Sequence, residues 1–388
     1  MTDAPERRAI RSPDGLLLGL SGTLLGFGLV MVASASVFWS AAVSGGAWHV
    51  FERQLLFSGL GLIAGFVVLN LPLRLLLRMR HLALVGALSL LALVLVPGVG
   101  RAVNGSMRWL PFGLFRMQAS EPALLLIAIY LAGYGAEQGG RLASGLGGVV
   151  VPLLPVGLAA VLLLLEPDFG GAGVLLAMAF TVFFLAGARL QDLLVLFLVG
   201  FVVMILVAVA APYRVIRLTT FLDPWHHAQG SGYQLAQSLI AIGHGGWFGT
   251  GLGRGIEKLF YLPEPESDFI FAVIGEELGF VGMVAVLVGF AALTFRIFWI
   301  GRSAEKTGRR FEGLLCYAVG CWIGFEVLIN AGVNLGALPT KGITLPLISA
   351  GGSNLIMTLV ALALVLNVSL WVSANEPRYR AGGWREPA

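Results

Sequence analysis

A group of carboxylates stands at the start of an apolar segment in residues 261–279, YLPEPESDFIFAVIGEELG. Asp268 directly precedes the apolar run that begins at Phe269, and Glu264 lies four positions ahead of it. A carboxylate at an apolar boundary tends to have a raised pKa, because burial disfavours its charged form, and such a group suits general-base catalysis. Asp is also a favoured helix N-cap, so Asp268 is a candidate base, a candidate cap, or both. The remaining acids of the stretch are Glu266, Glu276 and Glu277.

Other charged side chains that could take part in chemistry flank further apolar runs. Glu121 opens one such run, where a first-turn acid is also favoured by the helix dipole. Asp168 follows Pro167 in a short connection, which is equally typical of a turn. Glu326 lies deep within an apolar run, and intramembrane acids usually face a cavity or a partner. Six cations could bind a phosphate or contact lipid headgroups: Arg108, Arg116, Arg214, Arg254, Lys258 and Lys341.

The elements that must position these groups are membrane spans. The chain has 388 residues, of which 57% are hydrophobic and 12% charged, whereas soluble proteins carry about 25% charged residues. Residues 1–388 are therefore predicted to form a single polytopic membrane domain. The net charge of +4 gives no indication of a nucleic-acid partner, because membrane proteins collect Lys and Arg on their cytoplasmic side. The two cysteines, Cys316 and Cys321, are expected on different faces of one helix, so neither a disulfide nor a metal site is predicted.

The predicted fold is an all-α integral membrane protein with ten transmembrane helices. A span needs about 20 mostly apolar residues. Lys and Arg place both termini inside, with 16 of these residues on the inner side and 9 on the outer side. A long extracytoplasmic loop, 212–268, joins the seventh and eighth helices, and residues 374–388 form a cytoplasmic tail. The predicted spans are 15–37, 54–72, 81–97, 119–135, 147–165, 170–188, 191–211, 269–295, 313–332 and 353–373.

Most candidate acids and the polar loops fall on the outer side in this topology. Within the 212–268 loop, GYQLAQSLIAIG is typical of an amphipathic helix on the membrane surface, and GHGGWFGTGLGRG is a glycine-rich loop that only weakly indicates phosphate binding. The residues therefore favour either an enzyme that acts on a lipid-linked, phosphate-bearing substrate or a transporter of one.

Three long segments resemble the SEDS family (shape, elongation, division, sporulation). The similarity extends over about residues 15–373. The sequence of the motif PTKGITLPLIS is closer to that of the division members than to that of the elongation members. The segments are PYRVIRLTTFLDPWHHAQGSGYQLAQSLIAIG, GTGLGRGIEKLFYLPEPESDFIFAVIGEELGFVG and NAGVNLGALPTKGITLPLISAGGSN.

The resemblance implies a ten-span, inverting peptidoglycan glycosyltransferase that polymerises lipid II on the outer face of the bacterial inner membrane, at the division septum. It implies a class B penicillin-binding protein and other divisome membrane proteins as partners. No fixed cofactor is implied, although Mg²⁺ or Mn²⁺ could stabilise the leaving diphosphate. Asp268 matches the family's essential aspartate. Expected substrate-binding residues are Glu121, Arg108, Asp168, Arg214, Lys258, Glu264, Lys341 and Ser349.

The chain departs from the family pattern at several outer positions. Leu124 stands where members usually carry lysine, and Ala350 and Asn354 replace a tyrosine and a serine. Glu266 and Ser267 replace the usual histidine and threonine before Asp268. Two alternatives to a polymerase stay open: a non-catalytic scaffold that activates the penicillin-binding protein, which the departures favour, and a lipid II flippase. A flippase needs a path across the membrane, whereas the charged residues cluster on one side.

Overall fold

The computed structural model is mostly helical and describes residues 13–43, 45–103, 106–112, 115–209, 220–340 and 342–375. The first eight helices are α1 (Gly15–Val43), α2 (His49–Leu69), α3 (Leu73–Arg78), α4 (Arg80–Val94), α5 (Ser120–Leu142), α6 (Leu146–Leu165), α7 (Phe169–Leu185) and α8 (Leu190–Val209). The others are α9 (Tyr233–Gly245), α10 (Ile270–Lys306), α11 (Arg310–Asn334) and α12 (Gly352–Asn375). Three strands lie between α4 and α5: β1 (Arg101–Val103), β2 (Ser106–Phe112) and β3 (Phe115–Gln118).

The chain has the character of a multi-pass membrane protein. Among the described residues, six helices are long and apolar enough to cross a membrane: Gly15–Val43, His49–Leu69, Leu146–Leu165, Ile270–Lys306, Arg310–Asn334 and Gly352–Val372. Shorter apolar helices cover Arg80–Val94, Phe169–Leu185 and Leu190–Val203. Each predicted span coincides with a helix, while the count of ten crossings stays a prediction. Part of the predicted outer loop (212–219) and most of the predicted tail (376–388) lie outside the described residues.

Two helices, α11 and α12, form the centre of the bundle. Most of their side chains are buried, whereas α1, α2 and α6 expose apolar residues such as Ile63, Phe66 and Leu154 on their outer faces. Glycines let neighbours approach closely, as is usual where helices pack in a membrane. A Cβ on Gly28 of α1 would lie 2.4 Å from the carbonyl oxygen of Leu347, so no larger residue fits there without a shift.

A small antiparallel sheet corrects the all-α prediction. The strands run in the order β1-β2-β3, with Trp109 opposite Gln118 and Leu110 opposite Met117. The segment was expected to be only a polar loop. Its sequence does carry a hairpin signal, the pair Asn104–Gly105 between short strand-forming runs.

A sharp kink divides α10 at Gly279, whose φ is +69°. Every residue from Ile270 to Glu277 is buried, so this first part of the helix is enclosed on all sides. The glycine-rich stretch that follows α9 contributes to this enclosure, together with α9 and α11. The backbone N–H groups of Phe280 and Val281 donate to the carbonyl oxygens of Gly246 and Trp247 at 2.9 and 3.1 Å.

The predicted amphipathic helix is confirmed as α9. It packs against α10 and α11 through one face, which includes Leu235, Ala236 and Ala241. Ser238 donates to the carbonyl oxygen of Asn334 at 2.8 Å. The helix is therefore part of the packed body of the protein.

Candidate functional site

Asp268 lies at the start of α10, but it does not cap the helix. The N-cap position is Phe269, and no side-chain capping bond is made there, so the cap interpretation of Asp268 is wrong. Asn334 of α11 supplies a side-chain acceptor at this end of the helix, because its Oδ1 accepts the backbone N–H of Ala272 at 3.0 Å. The carboxyl group of Asp268 is thereby left free of a capping role. Its Oδ2 lies against Gly342, where a Cβ would be only 2.9 Å away.

The surroundings of Asp268 favour proton transfer near neutral pH. Burial raises the pKa of Asp268 to about 7, and the neighbouring Glu264 carboxylate adds to the rise. The guanidinium of Arg108 opposes it, which places this cation within electrostatic reach of the aspartate. Burial also raises the pKa of Glu266 to about 7. A group that titrates near the working pH is well matched to general-base catalysis.

The two residues before the aspartate are fixed by their carbonyl groups. The carbonyl oxygen of Glu266 accepts the N–H of Ala350 at 2.7 Å, and that of Ser267 accepts the hydroxyl of Ser349 at 2.6 Å. Ser349 was predicted to bind substrate. It is 3% exposed, and its Oγ also accepts the N–H of Leu345 at 2.8 Å. Ser349 therefore holds the segment that leads to Asp268.

Arg108 connects the sheet to the turn between α6 and α7. Its Nε donates to the carbonyl oxygen of Glu166 at 2.9 Å, and its terminal nitrogen donates to that of Pro167. These contacts orient the guanidinium, whose charge still acts on Asp268. The carboxyl group of Glu166 is fully buried and has no hydrogen-bond partner in the described part of the chain, and burial raises its pKa to about 9, so it is protonated at neutral pH.

Asp168 is the N-cap of α7, which agrees with its structural interpretation from sequence. Its Oδ1 accepts the N–H of Gly171 at 3.0 Å, and its Oδ2 accepts from the side chain of Gln118 at 3.4 Å. The side chain is 4% exposed. It also lines a cavity that Glu121 and Glu326 share, so capping and a place in the site are compatible.

Two buried carboxylates in this cavity share one amide. Asn354 donates through Nδ2 to both oxygens of Glu121 at 3.2 and 3.3 Å, and to Oε2 of Glu326 at 3.2 Å. Trp322 donates to the other oxygen of Glu326 at 2.8 Å. The expectation that Glu326 faces a cavity is confirmed. Asn354 and Leu124, two departures from the family pattern, both meet Glu121 here.

The cavity measures ≈ 30 Å³, and Gly342, Ile343 and Thr344 complete its lining. A volume of this size has room for about two waters. The segment 342–344 therefore separates the acid cavity from Asp268, since its other side contacts the Asp268 carboxyl group through Gly342. The two groups of acids are neighbours across one short piece of chain.

Lys258 belongs to a different network. This network is centred on Glu277, about two turns into α10. Its ammonium contacts Oε1 of Glu277 at 2.5 Å and Oγ of Ser34 at 2.9 Å, and its side chain is 1% exposed. The predicted substrate-binding cation is therefore already neutralised inside the protein. Glu277 also accepts from Ser34 at 2.8 Å and from the N–H of Gly253 at 3.0 Å.

Glu276 holds the glycine-rich loop from the same helix. Its carboxylate accepts the N–H groups of Ile256 and Glu257 at 2.7 and 3.2 Å. The N–H groups of Thr250 and Gly251 donate to the carbonyl oxygens of Glu276 and Glu277 at 3.0 Å each. The amides that a phosphate would need are thus bonded to the protein itself, which argues against the weak phosphate interpretation of this loop.

Among the remaining predicted residues, Glu264 is exposed and accepts from the hydroxyl of Ser267 at 3.0 Å. Its carboxylate acts on Asp268 through charge. Arg214 and Lys341 lie outside the described residues, and their predicted roles stay predictions.

Sequence reasoning missed the carboxamides. Asn330, Asn334 and Asn354 are buried and carry the hydrogen bonds of the site. A signal was present: Asn330 and Asn334 stand four positions apart in an apolar helix, on one face, and amides in membrane helices usually bond to neighbouring segments.

Comparisons with known proteins agree with the geometry. The sequence profile of the FtsW/RodA/SpoVE family of cell cycle proteins matches residues 16–373. The chain belongs to this family. It is 48% identical over 367 residues to a probable peptidoglycan glycosyltransferase FtsW of Thioalkalivibrio sp. (strain K90mix), covering 95% of this chain and 92% of that relative. It is 45% identical over 359 residues to the corresponding protein of Coxiella burnetii, covering 92% and 96%.

Solved structures of family members share the fold. One of them is a chain from a peptidoglycan synthase complex that coordinates polymerization and crosslinking. It superposes with a TM-score of 0.76 at 31% identity, covering 92% of this chain and 98% of that one. The rod shape determining protein RodA of Thermus thermophilus gives a TM-score of 0.68 at 31% identity, covering 92% and 97%. The predicted SEDS membership is confirmed, and the FtsW relatives support the division type.

Proposed function

We propose that the protein is a peptidoglycan glycosyltransferase that polymerises lipid II into glycan strands for septal cell-wall synthesis. The observation that carries the proposal is Asp268, a carboxyl group free of capping, with a pKa raised by burial to about 7, beside the Arg108 cation. Relatives named as probable peptidoglycan glycosyltransferases FtsW, 41–48% identical over most of the chain, support the reaction class.

The proposed topology places this site at the outer face of the bacterial inner membrane. Ten spans with both termini inside would put the start of α10, the sheet and the α6–α7 turn on the same outer side. The chain would act as a single membrane domain, with the segment 220–268 covering the mouth of the site. The distribution of Lys and Arg supports this orientation.

In the proposed reaction, Asp268 removes the proton from the 4-hydroxyl of the acceptor's N-acetylglucosamine. That oxygen forms a bond to C1 of the donor sugar with inversion, while the bond from C1 to the diphosphate oxygen breaks. The proton remains on Asp268, and undecaprenyl diphosphate leaves with the electron pair. Arg108 is the described cation beside the aspartate, and Glu121, Asp168, Glu264, Arg214 and Lys341 are proposed to contact the substrate.

The part of the chain that the structure describes contains no set of three or more His, Cys, Asp or Glu side chains arranged as metal ligands. The described residues therefore do not form a ready-made site for Mg²⁺ or Mn²⁺, and preorganised positive charge is the stabilising effect proposed for the protein itself. The proposed partners are a class B penicillin-binding protein that crosslinks the product and other divisome membrane proteins. The similarity to a chain of a peptidoglycan synthase complex supports the first of these.

The test is glycan polymerisation from lipid II by the purified protein co-expressed with its penicillin-binding partner. Asp268→Asn keeps the size of the side chain but removes the base, and loss of a general base typically lowers the rate by about 100- to 10,000-fold. Asp223→Asn is the matched control, because Asp223 is an exposed outer-loop acid that contacts only His226 and His227 among the described residues.

Polymer from the wild type and the control, but not from Asp268→Asn, is the expected result. A well-folded wild-type complex that makes no polymer would overturn catalysis and favour the scaffold, for which Asp268→Ala would also be tolerated in cells. Movement of fluorescent lipid II across vesicles without glycan growth would favour the flippase.

A further inference from the structure

Two buried carboxamides of α11 converge on the backbone of Asp268. Asn330 is 1% exposed and Asn334 is fully buried, and both lie on the face of α11 that meets the start of α10. Each donates through Nδ2 to the carbonyl oxygen of Asp268 at 3.0 Å. One carbonyl group thus receives two hydrogen bonds from two side chains of a neighbouring helix.

Asn334 fixes Asp268 relative to α10. While its Nδ2 donates to the Asp268 carbonyl, its Oδ1 accepts the N–H of Ala272 in the first helical turn, an N–H that is shared with the carbonyl oxygen of Phe269. The same side chain also donates to the carbonyl oxygen of Asn330 at 2.8 Å. Both polar atoms of this amide are therefore engaged, which defines its orientation and the place where the helix begins.

Asn330 fixes Asp268 relative to the segment across the site. Its Nδ2 donates to the carbonyl oxygen of Ile343 at 2.7 Å as well as to that of Asp268. Ile343 follows Gly342, which lies against the Asp268 carboxyl group, and it also lines the acid cavity with Glu121. A single side chain thus sets the separation between the proposed base and the wall of the neighbouring subsite.

The carboxyl group itself has no comparable support. Within the described residues, no hydrogen bond reaches Oδ1 or Oδ2 of Asp268, so its position follows from its backbone and from contact with Gly342. A catalytic group must be held within about 0.5 Å of its productive geometry, and the groups that hold it are themselves fixed by packing and hydrogen bonds. The two asparagines meet this description.

We propose that Asn330 and Asn334 are positioning residues for glycan polymerisation: they hold the Asp268 backbone so that its carboxylate stays fixed against the segment 342–344 and faces the acceptor hydroxyl. This inference rests on the proposed function, because it assigns a role relative to Asp268 as the base. Neither residue is a catalytic residue, since neither side chain contacts the carboxyl group.

The test compares Asn330→Ala and Asn334→Ala with Asn367→Ala in the complex with the penicillin-binding partner. Asn367 is a matched control: it is 2% exposed, and its Nδ2 donates to the carbonyl oxygens of Val68 and Leu71 at 3.1 and 2.9 Å, away from Asp268. All three variants lose a buried amide that bonds to two carbonyl groups. Loss of stability alone should therefore affect them similarly.

The readouts are unfolding temperature, kcat, KM and the pH dependence of polymerisation. A displacement of about 1 Å can lower a rate by about 100-fold, so we expect kcat per folded molecule to fall roughly 10- to 100-fold in Asn330→Ala and Asn334→Ala, with little change in KM. The midpoint of the pH profile should also move, since the surroundings of Asp268 change. Asn367→Ala should keep the wild-type kcat and midpoint.

Asn330→Ser, which keeps one hydroxyl donor in a smaller side chain, should give an intermediate kcat and serves if the alanine variant does not fold. Equal kcat and pH midpoint in the Asn330, Asn334 and Asn367 variants, with Asp268→Asn inactive, would overturn the positioning role alone. A folded wild-type complex without any polymer would instead overturn the proposed function, and this inference with it.

Discussion

Acids stand at two levels, directly before α10 and within its first part, and their surroundings differ. Glu276 and Glu277 lie about 12 Å beyond Asp268 along the helix, at a rise of about 1.5 Å per residue. Their oxygens accept from backbone amides, from Ser34 and from the Lys258 ammonium. The Asp268 carboxyl group has no such donors among the described residues, and Glu264 and Glu266 stand near it. Compensated and uncompensated carboxyl groups therefore lie within one short segment, 264–277.

The difference separates structural from chemical use of the same side chains. A buried charge costs several kcal/mol unless it is paired and hydrogen-bonded, and the Glu276–Glu277 level meets that condition while it fixes the glycine-rich loop. The Asp268 level does not meet that condition. Ionisation of Asp268 is therefore less favourable, its pKa is raised, and the carboxyl group becomes available for proton transfer. The presence or absence of hydrogen-bond donors and a cation around a carboxyl group distinguishes structural from chemical use better than its depth in the membrane does.

The largest loss of stability is expected when the buried ion pair between Lys258 and Glu277 is broken. Lys258→Met keeps the apolar stem but leaves Glu277 buried without its cation, and removal of one partner from a buried pair typically costs about 3–5 kcal/mol. The free energy of unfolding should fall by this amount, while polymerisation per folded molecule changes little. The double variant Lys258→Met with Glu277→Gln should recover much of the loss, because the unpaired charge is gone. Thermal unfolding of the purified complex measures both.

Lys306→Met is the control for this comparison, because Lys306 is an exposed lysine at the end of the same helix. Its unfolding temperature should match the wild type. If Lys258→Met were as stable as the wild type but showed a raised KM for lipid II, the ammonium would be a substrate contact, as the sequence suggested, and the comparison between the two levels would fail.

A smaller loss of stability is expected at the cavity that Glu121 and Glu326 line. The hydrogen bonding of these two acids is intermediate between that of Glu277 and that of Asp268. Asn354→Leu removes the amide that Glu121 and Glu326 share, and leaving buried acceptors without a donor costs about 1–3 kcal/mol. The free energy of unfolding should fall accordingly. Thr358→Val, one turn along α12, is the control: Thr358 is 1% exposed and its hydroxyl has no hydrogen-bond partner among the residues that the structure describes, so its loss should be neutral or stabilising. Equal unfolding temperatures for Asn354→Leu and the wild type would show that the shared amide is not needed.

Much of the fold could be predicted from the sequence because hydrocarbon imposes a strong rule. Every predicted span coincides with a helix, since a run of about 20 apolar residues must satisfy its own backbone within the membrane. The sheet at 101–118 was missed because segments between spans are free of that rule. The enclosure of 270–277 was missed as well, since it depends on a distant loop held by Glu276 and Glu277, and no periodicity reports such a pairing.

The candidate site was predicted unevenly for a related reason. Asp268, Glu121, Asp168 and Arg108 could be chosen by residue type and by their places beside apolar runs, and the structure puts them around 342–344 or within reach of Asp268. Lys258 was chosen by the same criterion, but its ion pair with Glu277 arises from tertiary contact. Charge type alone cannot show whether a cation is already neutralised.

The smallest single step is expected from a change of one pH unit, which acts on the uncompensated level. Because Asp268 must be ionised to accept a proton and its pKa is raised to about 7, the polymerisation rate should fall about tenfold for each unit of pH below that value and level off above it. Initial rates measured from pH 5.5 to 8.5 test this. A rate independent of pH between 5.5 and 7 would contradict the assignment of Asp268 as the base.

Stability should change in the opposite direction over the same range. The folded-state pKa of Asp268, about 7, lies above the value of about 3.9 for an unfolded chain, so the folded state binds more protons between these two values. The contribution of this group is therefore fully present below pH 4 and is lost as the pH rises through 7. Asp268→Asn, which cannot titrate, should flatten this part of the unfolding profile, whereas Asp223→Asn should not. The gain in rate and the loss of stability should then level off at the same pH, near 7, because both report the ionisation of a single carboxyl group that the fold leaves uncompensated.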